Sequence, residues 1–219
     1  MKILFDWWMN RRARKLARRL EPWLKSGART ADIGSGTGHN AQTWRKQFGL
    51  VVDEYDIADL HWIGPGPVLF DGLRLPRGET RYEAMTVLYV LQYAHDPASL
   101  LKQLAEKCSG PILLIQSTYR GIWGRSFLEL REWITGRLAL QLARRAGILG
   151  GDACPLIPRR LFSRVDLART VQEAGLIIDT WQPSELWGFA TSRDLYVLRS
   201  TPRCPTSRSL SPHGMKNVG

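Results

Sequence analysis

The stretch Ala31-Asp32-Ile33-Gly34-Ser35-Gly36-Thr37-Gly38-His39-Asn40 sets three glycines at alternate positions directly after an apolar run. Glycine lacks a Cβ, so such a loop can turn sharply and let a ligand approach the backbone closely. A loop that cradles nucleoside triphosphates needs Gly-Lys-Ser/Thr, which is absent here. A dinucleotide fingerprint needs its third glycine at position 39, where His39 stands. The pattern is therefore G-x-G-x-G, a different loop. Acidic residues follow at Asp53, Glu54, Asp56 and Asp71. One carboxylate has two acceptor oxygens and can take two hydroxyl donors at once.

Hydrophobic periodicity predicts the elements that position these residues. Met9, Ala13, Leu16, Leu20 and Trp23 fall on one stripe, so residues 1–25 read as a basic amphipathic N-terminal helix, ended or kinked at Pro22. Residues 29–33, 50–57, 68–70 and 84–90 read as strands, with a helix over 38–48. Pro97 opens a helix to Lys107. Residues 111–117 form a continuous apolar run, as expected of a strand covered on both faces. A helix over 165–174 ends at Gly175, and strands over 176–181 and 195–199 close the pattern. The alternation predicts an α/β fold: a Rossmann-like, seven-stranded, mostly parallel sheet with helices on both faces. The main domain spans 26–200. A helical insertion, 119–160, follows strand five, with Phe127, Leu130, Ile134, Leu138 and Leu142 at helical spacing. Arg131, Arg137, Arg144 and Arg145 fall on its other faces. Residues 201–219, rich in Pro, Ser and Arg, read as a disordered tail.

Asp32 to Gly38 resembles motif I of the class I S-adenosylmethionine (SAM)-dependent methyltransferases. The likeness continues in order through Val52–Asp59, Leu69–Pro76, Tyr82–Pro97 and Leu161–Gly175, and covers roughly residues 20–200. It implies SAM as cofactor, held by Asp32, Gly34, Ser35, Gly36, Gly38, Asp56, Asp71, Gly72 and Leu88. Register assigns Asp56 to the ribose hydroxyls. Asp53 and Glu54 are expected as solvent-facing or charge-repelled neighbours. Asp71 reads either as a contact to the adenine or as a turn residue before Gly72. Relatives place a His after the fourth strand; this chain has Gln92 and Tyr93 there, with His95 offset. Tyr93 is the candidate catalytic residue, as base or orienting group, against the plainer reading of a pocket wall. Tyr119 and Arg120 lie at the reaction mouth by topology, where Arg120 could hold an anionic substrate.

The chain has 219 residues, 44% hydrophobic and 23% charged, which excludes wholesale disorder. Its net charge is +11. Residues 1–30 carry nine basic and two acidic side chains, 119–169 ten and four, and 199–219 four and none. The positive charge thus sits in the arm, the insertion and the tail. Cys108, Cys154 and Cys204 are widely spaced, which points to a reducing, cytoplasmic compartment. No apolar run reaches the ~18 residues of a membrane span. No metal-ligand spacing is present, so no metal is expected. Trp7, Trp8 and Trp23 beside Arg and Lys suit a peripheral position at an anionic membrane, on its inner face; packing over the cofactor cleft is the plainer alternative. The expected acceptor is a small, apolar or lipid-like molecule. RNA or protein methylation through the basic arms stays open, as does a non-catalytic binding protein of this fold, although no specific nucleic-acid module is present.

Overall fold

The computed structural model describes residues 2–76, 80–145, 160–184 and 191–201, with the backbone course alone for 135–145. The insertion's residues 146–159 and the tail's 202–219 lie outside the described residues, as do the side chains of Arg137, Leu138, Leu142, Arg144 and Arg145.

The chain opens with α1 (Lys2–Leu20) and a single 3₁₀ turn, Glu21–Trp23, that contains Pro22. Strand β1 (Arg29–Ile33) leads through the glycine loop into α2 (His39–Phe48), then β2 (Val51–Asp56), β3 (Val68–Leu69) and β4 (Ala84–Leu88). Next come α3 (Pro97–Lys107), β5 (Ile112–Tyr119), α4 (Gly121–Arg145), β6 (Phe162–Ser163), α5 (Arg164–Glu173), β7 (Leu176–Gln182) and β8 (Thr191–Ser200). Strand order is β3-β2-β1-β4-β5-β8-β7, with short β6 paired to the end of β5. Only β8 runs antiparallel to its neighbours on that path. The predicted architecture holds, with β6 as an added two-residue strand.

Alternation along the central strands builds two cores. Met85, Val87, Ile112, Leu114, Tyr196 and Leu198 face the side packed by α3 and α5. Ala84, Leu88, Leu113, Ile115, Leu195 and Val197 face α1 and α2, where Trp44 is fully buried. Successive strand side chains point to opposite faces, so one continuous apolar run serves both layers. Full burial of each large aliphatic side chain contributes about 1.5–3 kcal/mol. Local caps fix the helix starts. Asp96 accepts from the Ser99 amide at 3.0 Å ahead of Pro97, and Ser163 Oγ accepts from the Asp166 amide at 3.0 Å.

Two helices differ from expectation in what they bury. On α1, Ala13, Leu16, Ala17 and Leu20 are buried against the α2 side of the sheet. Most of its predicted apolar stripe is thus committed to the fold, and its exposed large apolar groups are Ile3, Leu4, Trp7 and Trp8. On α4 the predicted stripe points outward: Phe127, Leu130 and Ile134 are exposed. The helix seats instead through Gly124, Leu128 and Arg131, at spacings of four and three. A glycine on the contact face lets the helix approach closely, and periodicity of large residues does not register it.

β8 begins at Thr191, ahead of the expected Leu195, because its polar start is paired internally. Thr118 and Ser192 hydroxyls lie 2.9 Å apart, and Arg164 Nε donates to the buried Asp194 at 3.0 Å.

Candidate functional site

The glycine loop leaves the carboxyl end of β1, where ligands bind in open α/β sheets. The Gly34 and Ser35 amides donate to Tyr55 O at 2.7 and 3.2 Å. The Gly36 amide donates to Asp56 Oδ2 at 2.7 Å. Gly34, Gly36 and Gly38 all lie in the left-handed region, with φ of 73°, 58° and 80°. Their surroundings separate their roles. A Cβ on Gly34 would drive into Val90, and one on Gly38 into Ile63 O and the His61 ring. A Cβ on Gly36 would meet nothing nearer than Gly34 O at 4.0 Å. Gly34 and Gly38 are therefore required by packing, while Gly36 presents an open backbone face.

Beside that face lie buried acceptors. Asp32 is 1% exposed; its Oδ1 accepts from Thr86 Oγ1 at 2.8 Å. Its Oδ2 and the Ser35 hydroxyl are buried with no hydrogen-bond partner among the described residues. Burial holds the Asp32 carboxyl well above the ordinary carboxylate range; the Thr86 hydrogen bond opposes this, and the Glu54 and Asp56 charges add to it. Asp56 ends β2 and also accepts from the Ile57 amide at 2.7 Å. Burial raises its pKa against the pull of its backbone donors. Asp71 is exposed, and its Oδ1 caps a turn by accepting from the Leu73 and Arg74 amides at 2.8 and 2.7 Å. Those donors hold its pKa below the ordinary range. That is the turn role, with Gly72 at φ 73° completing the bend. Leu88 ends β4 in the core beneath α1 and α2.

Asp53 and Glu54 are not the solvent-facing pair that the sequence suggests. Asp53 pairs with Arg29 at 2.9 Å and accepts from the Tyr82 hydroxyl at 3.0 Å. Glu54 is buried between Arg45 and His61, each at 2.6 Å. The reason is tertiary: α2 supplies Arg45, and the segment after β2 folds His61 back over the strand.

The start of α1 covers the loop. His39, buried at the first position of α2, has Nδ1 2.9 Å from Thr37 Oγ1 and Nε2 3.2 Å from Asp6 Oδ1. Phe5 packs edge-on against His39 and Trp62, at 6.3 and 5.6 Å between ring centroids.

Past β4, Tyr93 is half-buried and its amide donates to Val90 O at 2.8 Å. Burial raises the pKa of its hydroxyl, Gln92's hydrogen bond opposes this, and Glu132 and Arg12 act in opposite senses. Gln92, in the position of the relatives' His, is buried and accepts from Gln116 Nε2 at 3.0 Å. Gln116 Oε1 is left without a donor. His95 and Arg120 are exposed, and Tyr119 is half-buried. The sequence reading passed over Tyr89, Arg12 and Arg193, which meet at this mouth. A signal for Arg193 existed: it is the lone basic residue in the acidic block 170–198.

The family described as methyltransferase domain matches residues 5–180, so the chain belongs to it, among the class I SAM-dependent methyltransferases. Solved structures share the fold. Phosphoethanolamine N-methyltransferase 2 of Haemonchus contortus, bound to phosphomonomethylethanolamine and S-adenosylhomocysteine, matches with a TM-score of 0.61 at 12% identity, over 87% of this chain and 52% of that one. Geranyl diphosphate C-methyltransferase of Streptomyces coelicolor A3(2), bound to Mg²⁺, geranyl diphosphate and S-adenosylhomocysteine, gives 0.57 at 14%, over 85% and 79%. A SAM-dependent methyltransferase of Clostridium acetobutylicum gives 0.55 at 9%, over 86% and 90%. No curated protein matches the sequence. Family and fold make SAM the cofactor. The orphaned Asp32 Oδ2, the open face of Gly36 and the carboxylate of Asp56 fit a molecule that offers an ammonium group and a ribose diol.

Proposed function

We propose that the chain methylates a small, apolar or lipid-like acceptor drawn from an anionic membrane surface. The observation that carries this reading is the set of large apolar side chains that α1 and α4 leave exposed. Ile3, Leu4, Trp7 and Trp8 of α1 and Ile122, Trp123, Phe127, Leu130, Trp133 and Ile134 of α4 all face outward. Exposed apolar clusters of this size mark interaction surfaces. Trp7, Arg11, Arg14, Lys15 and Arg18 lie together on the exposed outer side of α1. Basic and indole side chains together suit an anionic interface. Attachment in this reading is peripheral, at the cytoplasmic face; among the described residues no helix is long and apolar enough to cross a membrane.

When bound, SAM would supply an electrophilic methyl carbon, which an acceptor lone pair attacks in line as the C–S bond breaks and S-adenosylhomocysteine leaves. In this reading Asp32 faces the amino group, Asp56 accepts from the ribose, and Gly36 gives the close backbone approach. Gly34, Ser35 and Gly38 shape the loop, Asp71 and Gly72 form the rim for the adenine, and Leu88 is an apolar wall. Tyr93 orients the acceptor as a hydrogen-bond donor.

The test is incubation with methyl-tritiated SAM and either a total lipid extract or total RNA. Label that partitions into the organic phase supports the reading. Label found with RNA, or with the protein alone, would replace it with the macromolecular alternative.

A further inference from the structure

Tyr89 follows β4 and sits in the left-handed region at φ 62°, which residues with side chains rarely adopt. Its amide donates to Ile115 O at 2.7 Å, which pins it to the end of β5. Strain of this kind persists only where neighbouring contacts enforce it, and it concentrates at functional sites. Two guanidinium groups lie over its ring, Arg12 of α1 at 5.3 Å from the centroid and Arg193 of β8 at 5.6 Å. The next residue, Val90, packs on Gly34 of the glycine loop. The cluster therefore stands beside the reaction mouth.

The cluster is short of negative charge. Among the described residues, neither Arg12 nor Arg193 takes part in an ion pair, and Arg193 Nε is buried with no acceptor. Other arginines of the same region are matched: Arg164 pairs with Asp194 at 3.0 Å, and Arg45 with Glu54 at 2.6 Å. Burial lowers the basicity of Arg193, as do the nearby charges of Arg131 and Arg12, while Tyr89 and Glu132 act the other way. Glu132 is already engaged by Arg131 at 2.6 Å. A desolvated cation without a partner is costly to keep. Arginine's planar fork is suited to grip carboxylate or phosphate oxygens.

We infer that the methyl acceptor carries an anionic group, a phosphate or a carboxylate, held by Arg12 and Arg193 above the Tyr89 ring. This rests on the methyl-transfer reading above and makes the acceptor an amphiphile, with its apolar part toward the exposed mouth. The cofactor's own carboxylate is the competing source of anion. Position favours the acceptor: Arg193 enters from β8, on the far side of β4 and β5 from the glycine loop, and its guanidinium meets Arg12 over the Tyr89 ring rather than at Asp32 or Ser35. The orphaned Asp32 Oδ2 and Ser35 hydroxyl that suit the cofactor lie at β1.

The test uses the full chain saturated with S-adenosylhomocysteine and inorganic phosphate as the probe, read by calorimetry. Phosphate should bind the wild type, and R12Q and R193Q should each weaken it about tenfold or more, with S-adenosylhomocysteine affinity unchanged. Arg12 is exposed on α1, so R12Q keeps the test decisive if R193Q does not fold. A comparable loss of S-adenosylhomocysteine affinity in either variant would assign the arginines to the cofactor and overturn the inference. No phosphate binding to the wild type, or equal binding by all three proteins, would overturn it as well, with the methyl-transfer reading intact. Failure of the wild type to bind S-adenosylhomocysteine would overturn both.

Discussion

The Gly36 amide donates to Asp56 Oδ2 at 2.7 Å, so the carboxylate at the end of β2 clamps the glycine loop before it meets a ligand. The same carboxylate also takes the Ile57 amide at 2.7 Å. One side chain therefore sets the loop's position and, in the proposed reading, also accepts from the ribose. Asp56→Ala should weaken S-adenosylhomocysteine binding by about 1.5–3 kcal/mol, the range for hydrogen bonds to a charged group. Gly36→Val should abolish binding, because it fills the open face and places a β-branched residue at φ 58°. Wild-type affinity in both variants, measured by calorimetry, would remove the assignment of this loop to the cofactor.

Asp32 couples stability to binding. Its folded pKa is raised above the ordinary 3.8 by burial. A carboxyl raised in this way favours the folded state fully below its unfolded pKa, and that contribution is lost as pH rises through the folded value. At higher pH its buried charge is a cost. Asp32→Asn removes the charge and should raise the melting temperature, by a margin that grows as pH climbs from the ordinary carboxylate range through the raised value. If Asp32 faces the cofactor's ammonium as proposed, affinity for S-adenosylhomocysteine should fall with the loss of that anionic partner. Thermal melts across pH with parallel calorimetry check this; a variant that melts lower than wild type at alkaline pH would contradict it.

Tyr93 has its hydroxyl pKa raised by burial, which favours the protonated hydroxyl that the proposed role of hydrogen-bond donor to the acceptor requires. Tyr93→Phe should lower the methyl-transfer rate at least about tenfold, the equivalent of one hydrogen bond of roughly 1.4 kcal/mol, and leave S-adenosylhomocysteine affinity unchanged. The assay uses the acceptor that the tritium experiment identifies. An unchanged rate would reduce Tyr93 to a wall of the pocket.

What the sequence disclosed was local. The glycine spacing, the strand before it and Asp56 at the next strand end all lie within residues 29–56, and the backbone does in the fold what that spacing requires. Asp71 shows the limit, because an acid before Gly72 reads equally as ligand and as turn, and the fold displays the turn. Residues brought together only by tertiary structure were hidden. Arg12 and Arg193 are far apart in the chain and meet over Tyr89, whose left-handed conformation leaves no trace in its residue type. The face that seats α4 was hidden for a related reason. Its contact face is Gly124, Leu128 and Arg131, one leucine between a glycine and an arginine, so no apolar stripe marks it. Burial of Glu54 was hidden too, since His61 reaches it only after the chain folds back.

Membrane attachment should now depend on the first two turns of α1 and on charge. Ala13, Leu16, Ala17 and Leu20 are buried in the fold, so the helix cannot lie in an interface on its apolar stripe. Ile3, Leu4, Trp7 and Trp8 remain to insert, and Arg11, Arg14, Lys15 and Arg18 lie on the exposed outer side of the helix. Each basic residue near an anionic surface contributes about 1 kcal/mol, screened within a Debye length of about 10 Å at 0.1 M salt. The protein should therefore co-sediment with anionic vesicles at low salt, bind neutral ones weakly, and release steeply as salt rises. Exchanging Trp7 and Trp8 for Ser should reduce binding at every salt concentration without changing the melting temperature, because both are more than half exposed. Deleting residues 1–12 should abolish most binding. It also removes Asp6 and Phe5 from His39, so the melting temperature should drop modestly while Leu16 and Leu20 hold the rest of the helix in place. If the intact protein ignores anionic vesicles at low salt, the first turns of α1 are a cover for the glycine loop alone, and the acceptor must reach the mouth from solution.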